Sequence, residues 1–127
     1  MSTTWLQVAN NASTTLAADL TALATSMNLA SIDDMPTQYP FRLTIWNAGL
    51  YGYRNPGDDP NMEIVEVTGV TSGYAGDYDD AGPEYEISRA QEGTVAVAHQ
   101  EGDVVALLVT AGLLQQIQDA ISALEGA

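Results

Sequence analysis

The chain has 127 residues, 46% of them hydrophobic, which is the size of one ordinary domain with a real core. Its 17 Asp and Glu face three Arg and no Lys, for a net charge of −14, which argues against binding to nucleic acid or to anionic membranes. The absence of cysteine excludes disulfide scaffolds, thiolate metal sites and cysteine nucleophiles.

The first part of the chain is predicted to contribute short strands. Residues 2–23 are ambiguous, since their Thr residues favour strands and their Ala residues favour helices, and we interpret them as a short strand or arm. In residues 25–32, Met27 and Leu29 alternate with polar residues, which indicates a strand with one buried face. Residues 40–46 alternate more clearly and are also predicted to form a strand.

Two long loops, residues 47–61 and 71–83, are predicted from their clusters of Gly, Asn, Asp and Pro. The second loop contains oxygen ligands of the kind that Ca²⁺ or Mg²⁺ prefers, namely Asp77, Asp79 and Asp80. The spacing is not that of an EF-hand, and a solvated acidic loop is the alternative. We therefore expect no cofactor unless this loop holds such a cation.

Residues 62–70, between the loops, are predicted to form a strand with either Ile64 or Val65 inward, depending on register. Glu63 and Glu66 are expected to lie in solvent. A strand is likewise predicted around Tyr85 and Ile87, which alternate with polar residues.

The end of the chain combines an apolar run with a helical pattern. Residues 104–109 are continuously apolar and are predicted to form a strand buried on both faces at the centre of the core. Thr110 is placed to cap a helix over residues 111–124. The apolar positions of that helix are spaced three, four and three apart: Leu114, Ile117, Ile121 and Leu124.

This apolar stripe has two interpretations. It could pack on the β-rich part of the chain, residues 1–109, which we call the β body, or it could meet the same stripe in other copies. Two heptads are too short for a stable coiled coil alone, so association would need help from the β body. The spacing is compatible with trimers, and we favour self-association. The predicted fold is mainly β, a small antiparallel β sandwich or barrel over residues 1–109, with a C-terminal amphipathic oligomerisation helix over residues 110–127.

The sequence offers little support for catalysis. His99 is the only histidine, and no nucleophile lies in a Gly-x-Ser-x-Gly turn. The acids are too numerous for any pair to be diagnostic. We expect no catalytic residues and a protein that is not an enzyme.

The segment from Ser88 to Thr94, SRAQEGT, is followed by Ala98-His99 and Gly102-Asp103 before the apolar run. This pattern resembles a module of structural proteins in tailed bacteriophages and tailed archaeal viruses, which reads Thr-Arg-Gly-Gln-Glu-Gly-Thr, then Ala-His, then Gly-Asp before a hydrophobic strand. Ala90 departs from it, since the pattern has Gly there. The residues that match are Arg89, Gln91, Glu92, Gly93, Thr94, His99, Gly102 and Asp103.

The resemblance implies a structural virion protein, with these residues in structural roles. We expect Arg89 to pair with Glu92 or Asp103, and His99 to cap or bridge its turn by hydrogen bonds. Related modules form fibre bases and oligomeric platforms, so the expected role is a capsid decoration, turret or fibre-anchoring adaptor. The implied partners are copies of the chain, as a trimer, and other virion proteins. The loop tyrosines are then candidate interface residues: Tyr51, Tyr53, Tyr74 and Tyr78.

Two further expectations concern habitat and an alternative function. Self-repulsion of so acidic a surface is screened only at high salt, which favours a halophilic source over a mesophile with basic partners. The chain shows no secretion signal or transmembrane pattern and is expected to be soluble, in the virion. The alternative is a carbohydrate- or receptor-binding module in which Trp46, Tyr51 and Tyr53 form an aromatic platform, with Ca²⁺ in an acidic loop.

Overall fold

The computed structural model describes residues 12–47, 55–72, 83–108 and 110–125. Two short 3-10 turns, Pro56–Asp58 and Gln91–Gly93, accompany six strands and one helix in these ranges. The elements are β1 (Ser13–Thr15), β2 (Ser26–Asn28), β3 (Phe41–Trp46), β4 (Glu63–Ser72), β5 (Glu84–Ser88), β6 (Val104–Ala106) and α1 (Ala111–Glu125).

The six strands form one antiparallel sheet in the order β1-β6-β3-β4-β5-β2. The sheet curls so far that the residues following its two edge strands meet at a bridge between Leu16 and Leu29. There the N–H of Ala17 donates to the carbonyl of Asn28 at 2.9 Å. The prediction of a mainly β, antiparallel fold with a C-terminal helix is therefore confirmed, and the sheet has the form of a curled half-barrel.

The core fills the concave side of this sheet. In β3 and β4 the alternating residues face inward, as the register pairs Phe41 with Val67 and Leu43 with Val65. Phe41 meets the ring of Tyr85 edge-on at 5.5 Å. Inward side chains from all parts of the sheet are fully buried, among them Leu16, Met27, Leu29, Phe41, Leu43, Ile45, Val65, Val67, Tyr85 and Val105.

Two predicted strands are shorter than the sequence pattern indicated. β2 covers only three residues, and the prediction that residues 104–109 form a strand buried on both faces is wrong beyond Ala106, since Leu108 is exposed. β6 is central because it pairs with β1 on one side and β3 on the other. After the N–H of Leu107 donates to the carbonyl of Ala12, the chain leaves the sheet for α1, so Leu108 belongs to no strand.

The helix α1 starts at the predicted cap. The N–H of Leu113 donates to the Thr110 hydroxyl at 3.2 Å, which satisfies one of the free donors of the first turn. No residue of α1 is buried, and no helix among the described residues is long and apolar enough to cross a membrane. The exposed fractions along its apolar stripe are 49% for Leu114, 44% for Ile117, 50% for Ile121 and 79% for Leu124.

The turn after β5 contains left-handed backbone at a residue that is not glycine. Ala90 has φ 55° and ψ 51°, at the position where the resembled pattern has Gly. A Cβ is unfavourable in this conformation, so alanine at this position costs stability relative to glycine.

We therefore expect Ala90→Gly to stabilise the chain by about 0.5–1 kcal/mol, because glycine adopts this backbone without strain. Chemical denaturation monitored by tryptophan fluorescence measures the change. Ala98→Gly is the matched control, since Ala98 is exposed and has no positive φ. The control should lose stability, and an equal loss in Ala90→Gly would contradict the expectation.

Candidate functional site

A buried carboxylate lies at one end of the curled sheet. Glu63, the first residue of β4, is fully buried and pairs in register with Ile45 of β3. Arg89, which directly follows β5, binds it with two parallel hydrogen bonds of 2.8 Å, from Nε to Oε2 and from Nη2 to Oε1. Such bidentate pairs combine charge with fixed geometry.

Arg89 uses all five of its N–H donors. Besides the two bonds to Glu63, Nη1 donates to the carbonyls of Thr21 and Ala24, at 2.6 and 3.0 Å, and Nη2 donates to the carbonyl of Val97 at 2.7 Å. The guanidinium thereby joins the turn between β1 and β2, the start of β4 and the segment before β6. We call Glu63, Arg89 and His99 the buried ionic cluster.

His99 completes the cluster from the other side. Its Nε2 lies 2.9 Å from Oε1 of Glu63, and because an ionised carboxylate only accepts, Nε2 carries the proton. Its Nδ1 lies 3.8 Å from Asp103. The backbone of His99 also exchanges hydrogen bonds with Leu20, so ring and backbone both connect separate segments.

The pKa of Glu63 reflects this environment. Burial alone would raise the pKa, but hydrogen bonds from Arg89, His99 and two backbone N–H groups lower it to about 2. Those backbone donors belong to Ala90 and Val97. Glu63 is therefore ionised at any pH at which the protein is ordinarily handled.

Two predictions are corrected here. Glu63 does not lie in solvent, and Arg89 pairs neither with Glu92 nor with Asp103 but with Glu63. The sequence does contain a signal for the burial of Glu63, since Glu63 alternates with Val65 and Val67 and therefore lies on the buried face. A position in solvent was predicted for Glu63 because the burial of an unpaired carboxylate is very costly.

The other residues of the pattern between Arg89 and Asp103 also make structural contacts. The Thr94 hydroxyl donates to the carbonyl of Gln91 at 2.7 Å and accepts the N–H of Ile64 at 3.1 Å, which ties the 3-10 turn to β4. Gln91 donates to the carbonyl of Arg89. Gly93 has a φ of 82°, which suits glycine.

The turn before β6 is built in the same way. Gly102 has a φ of 93°, and its N–H donates to the carbonyl of Leu16. Asp103 accepts the N–H of Gln100 at 3.0 Å and the side-chain amide of Asn47 at 2.7 Å. Asp103 is buried, so these bonds fix the entry into β6.

Glu92, the remaining motif residue, reaches the N-terminus of α1. Its Oε1 accepts the N–H of Gly112 at 2.6 Å, and its Oε2 accepts from Nη1 of Arg42 at 2.9 Å. Arg42 in turn binds Glu66 through Nε at 3.1 Å. Burial raises the pKa of Glu92, but the hydrogen bonds from Thr110, Gly112 and Arg42 outweigh it and lower the pKa.

One polar cleft of about 280 Å³ adjoins the buried ionic cluster. Both of its carboxylates already accept backbone N–H groups. Asp59 accepts those of Asn47 and Asn61, both at 2.8 Å, and Asp103 accepts that of Gln100. Among the residues described, no group of three or more His, Asp or Glu is arranged for a metal ion. The cleft is lined by Asn47, Asp59, Pro60, Asn61, Ala98, His99, Gln100 and Asp103.

Several sequence-based predictions fall on other parts of the chain. The candidate cation ligands Asp77, Asp79 and Asp80 lie outside the described residues, as do the candidate interface tyrosines Tyr51, Tyr53, Tyr74 and Tyr78. Trp46 is described and is only 8% exposed, so its ring is not available for an aromatic platform.

No family model and no curated protein matches the chain.

The lowered pKa of Glu63 predicts an acid-sensitive fold. A carboxylate whose pKa falls on folding stabilises the native state above its unfolded pKa, near 4.5, and that contribution is lost as the pH falls toward about 2. The shift corresponds to about 3 kcal/mol. Urea denaturation at pH 7 and at pH 3 measures the part of this contribution, somewhat more than half, that is lost by pH 3.

Glu63→Gln should show a large part of this loss already at pH 7, and less further loss in acid, since it leaves Arg89 buried without its counter-charge. Glu66→Gln is the control, because Glu66 and its partner Arg42 are partly exposed and such pairs contribute at most about 1 kcal/mol. Equal effects of the two substitutions would contradict the assignment of the acid sensitivity to Glu63.

Proposed function

We propose that this chain is a non-enzymatic structural subunit of a tailed-virus particle, which assembles into a homo-oligomer, with a trimer favoured, and binds neighbouring virion proteins. The observation that carries the proposal is the exposed apolar stripe of α1, defined by Leu114, Ile117, Ile121 and Leu124. Burial of this stripe against other copies removes it from water.

The residues beside the stripe support association of like helices. With Leu114 and Ile121 at the a positions of a heptad, the flanking e and g positions include Leu113, Gln118 and Ala120, which are uncharged. Asp119 lies on the opposite face. Most of the positions beside the apolar stripe therefore carry no carboxylate. Copies of the chain can approach along the stripe with little local repulsion, despite a net charge of −14.

The motif residues support a scaffold rather than a catalyst. Arg89 directs every N–H to Glu63 or to backbone carbonyls, and Glu63 accepts from five donors. A cluster so saturated has no donor left for a substrate and serves to join segments of the fold. This agrees with the structural roles that the resemblance to virion modules implies.

Assembly through α1 predicts that Ile117→Asp dissociates the oligomer, since it introduces a charge at the centre of the stripe. Sedimentation at molar salt, where repulsion between copies is screened, measures the mass. Ser122→Asp is the matched control because it adds the same charge to the exposed helix outside the stripe. A wild-type chain that sediments as a monomer would refute helix-mediated assembly.

The viral assignment predicts that the chain co-purifies with particles. After dissociation of purified tailed-virus particles into capsids, tails and baseplates, the chain should remain with one of these fractions, and Ile117→Asp should weaken its retention. Mass spectrometry of the fractions identifies which sub-assembly of the particle holds the chain. Absence from the particle, or turnover of a substrate by the purified chain, would refute the role proposed.

A further inference from the structure

We propose that Glu92 is the anchor that fixes the direction of α1 relative to the β body, so that the helices of several copies leave their β bodies at one common angle. The inference deepens the proposed function and rests on it for the part that concerns assembly. The anchor itself is a property of the single chain.

The contacts of α1 point to this role. No residue of the helix is buried, so no buried side chain of α1 fixes it on the described part of the β body. Its first turn is instead held by a carboxylate, which accepts the N–H of Gly112 at 2.6 Å. Because the N-terminus of a helix carries partial positive charge and free N–H donors, an ionised Glu92 suits this position.

The anchor is rigid on the side of the β body. The second oxygen of Glu92 is bound by Arg42 of β3, and Arg42 is itself held by Glu66 of β4. The chain of contacts thus runs from the centre of the sheet to the helix, through three charged side chains. These are the charged groups around the contact, and Thr110 supplies the only hydroxyl that binds Glu92 from the helix side in the described residues.

Two local features agree with an optimised contact. Glu92 has a φ of 54°, a left-handed conformation that is unfavourable for a residue with a side chain and that aims its carboxylate at α1. Gly112 leaves the room for it, since a Cβ there would lie 2.6 Å from Cδ of Glu92 and 2.5 Å from Nη1 of Arg42. A glycine in the first turn of a helix is thereby explained by the close approach of the ion pair.

The direction of the helix can be measured without assembly. The chain has no cysteine, so Thr68→Cys on β4 and Ser122→Cys on α1, both exposed positions, accept one pair of spin labels. Electron–electron distance measurements are made in the Ile117→Asp background, which removes the contribution of self-association. The anchor predicts one narrow distance distribution for this chain.

Two variants test the contact between Glu92 and Gly112, and a third is the control. Glu92→Ala should broaden the distribution at least about twofold, and Gly112→Ala should broaden it too, although alanine has the higher helix propensity. Glu101→Ala is the matched control: it removes one exposed carboxylate in the turn before β6, away from Arg42 and Glu92, so the distribution should stay narrow. Unchanged narrow distributions in Glu92→Ala and Gly112→Ala would overturn the anchor.

The consequence for assembly is tested separately with Ile117 intact. Glu92→Ala should weaken self-association about tenfold, which corresponds to about 1.4 kcal/mol, because freely pivoting helices must first be aligned. Wild-type affinity in Glu92→Ala would overturn the link between anchor and assembly. A wild-type chain that is monomeric at molar salt refutes the proposed function instead, whatever the distance measurements show.

Discussion

The fold depends on one buried charge and its partners. Glu63 is fully buried at the start of β4, and the desolvation of its carboxylate is offset only because Arg89, His99 and two backbone amides all donate to it. In return, the cluster connects segments that the sheet ladder does not join directly, from the β1–β2 turn to the segment before β6. A small curled sheet with short strands gains from such connections, since its apolar core alone is limited by its size.

Much of the fold could be predicted from the pattern of apolar residues, and the particular failures have physical causes. The alternation in β3 and the spacing in α1 were sufficient to predict those elements, because amphipathic periodicity reports directly on burial. The apolar run of residues 104–109 was not sufficient to predict the length of its strand, since β6 ends at Ala106, where its pairing with β1 stops. Such pairing joins residues about 90 positions apart in sequence, which a local pattern does not contain.

The sequence indicated Arg89 and His99 as structural residues of the site, but not its central residue, Glu63, nor the pairing among them. The motif indicated that Arg89, Glu92 and His99 belong to turns with structural roles, yet the nearest acids in sequence were the wrong partners for Arg89. Its true partner, Glu63, is 26 residues away and lies on the adjacent strand, β4. Choosing between these carboxylates needs the sheet register, because in a chain with 17 acids almost every cation has some acid close by in sequence.

The ion pairs of Arg89 and those of Arg42 have different environments and therefore different consequences. Glu63 and Arg89 are shielded from water, so salt screens their interaction much less, and it holds the β body together. Arg42 is 22% exposed, and its bonds to Glu66 and Glu92 lie near the surface. Salt screens such a pair more strongly, but the contact between Glu92 and the N–H of Gly112 is a short hydrogen bond that persists when the charge is screened. Copies of so acidic a chain can approach one another only at high salt. A helix held by a directional hydrogen bond keeps its orientation under those conditions.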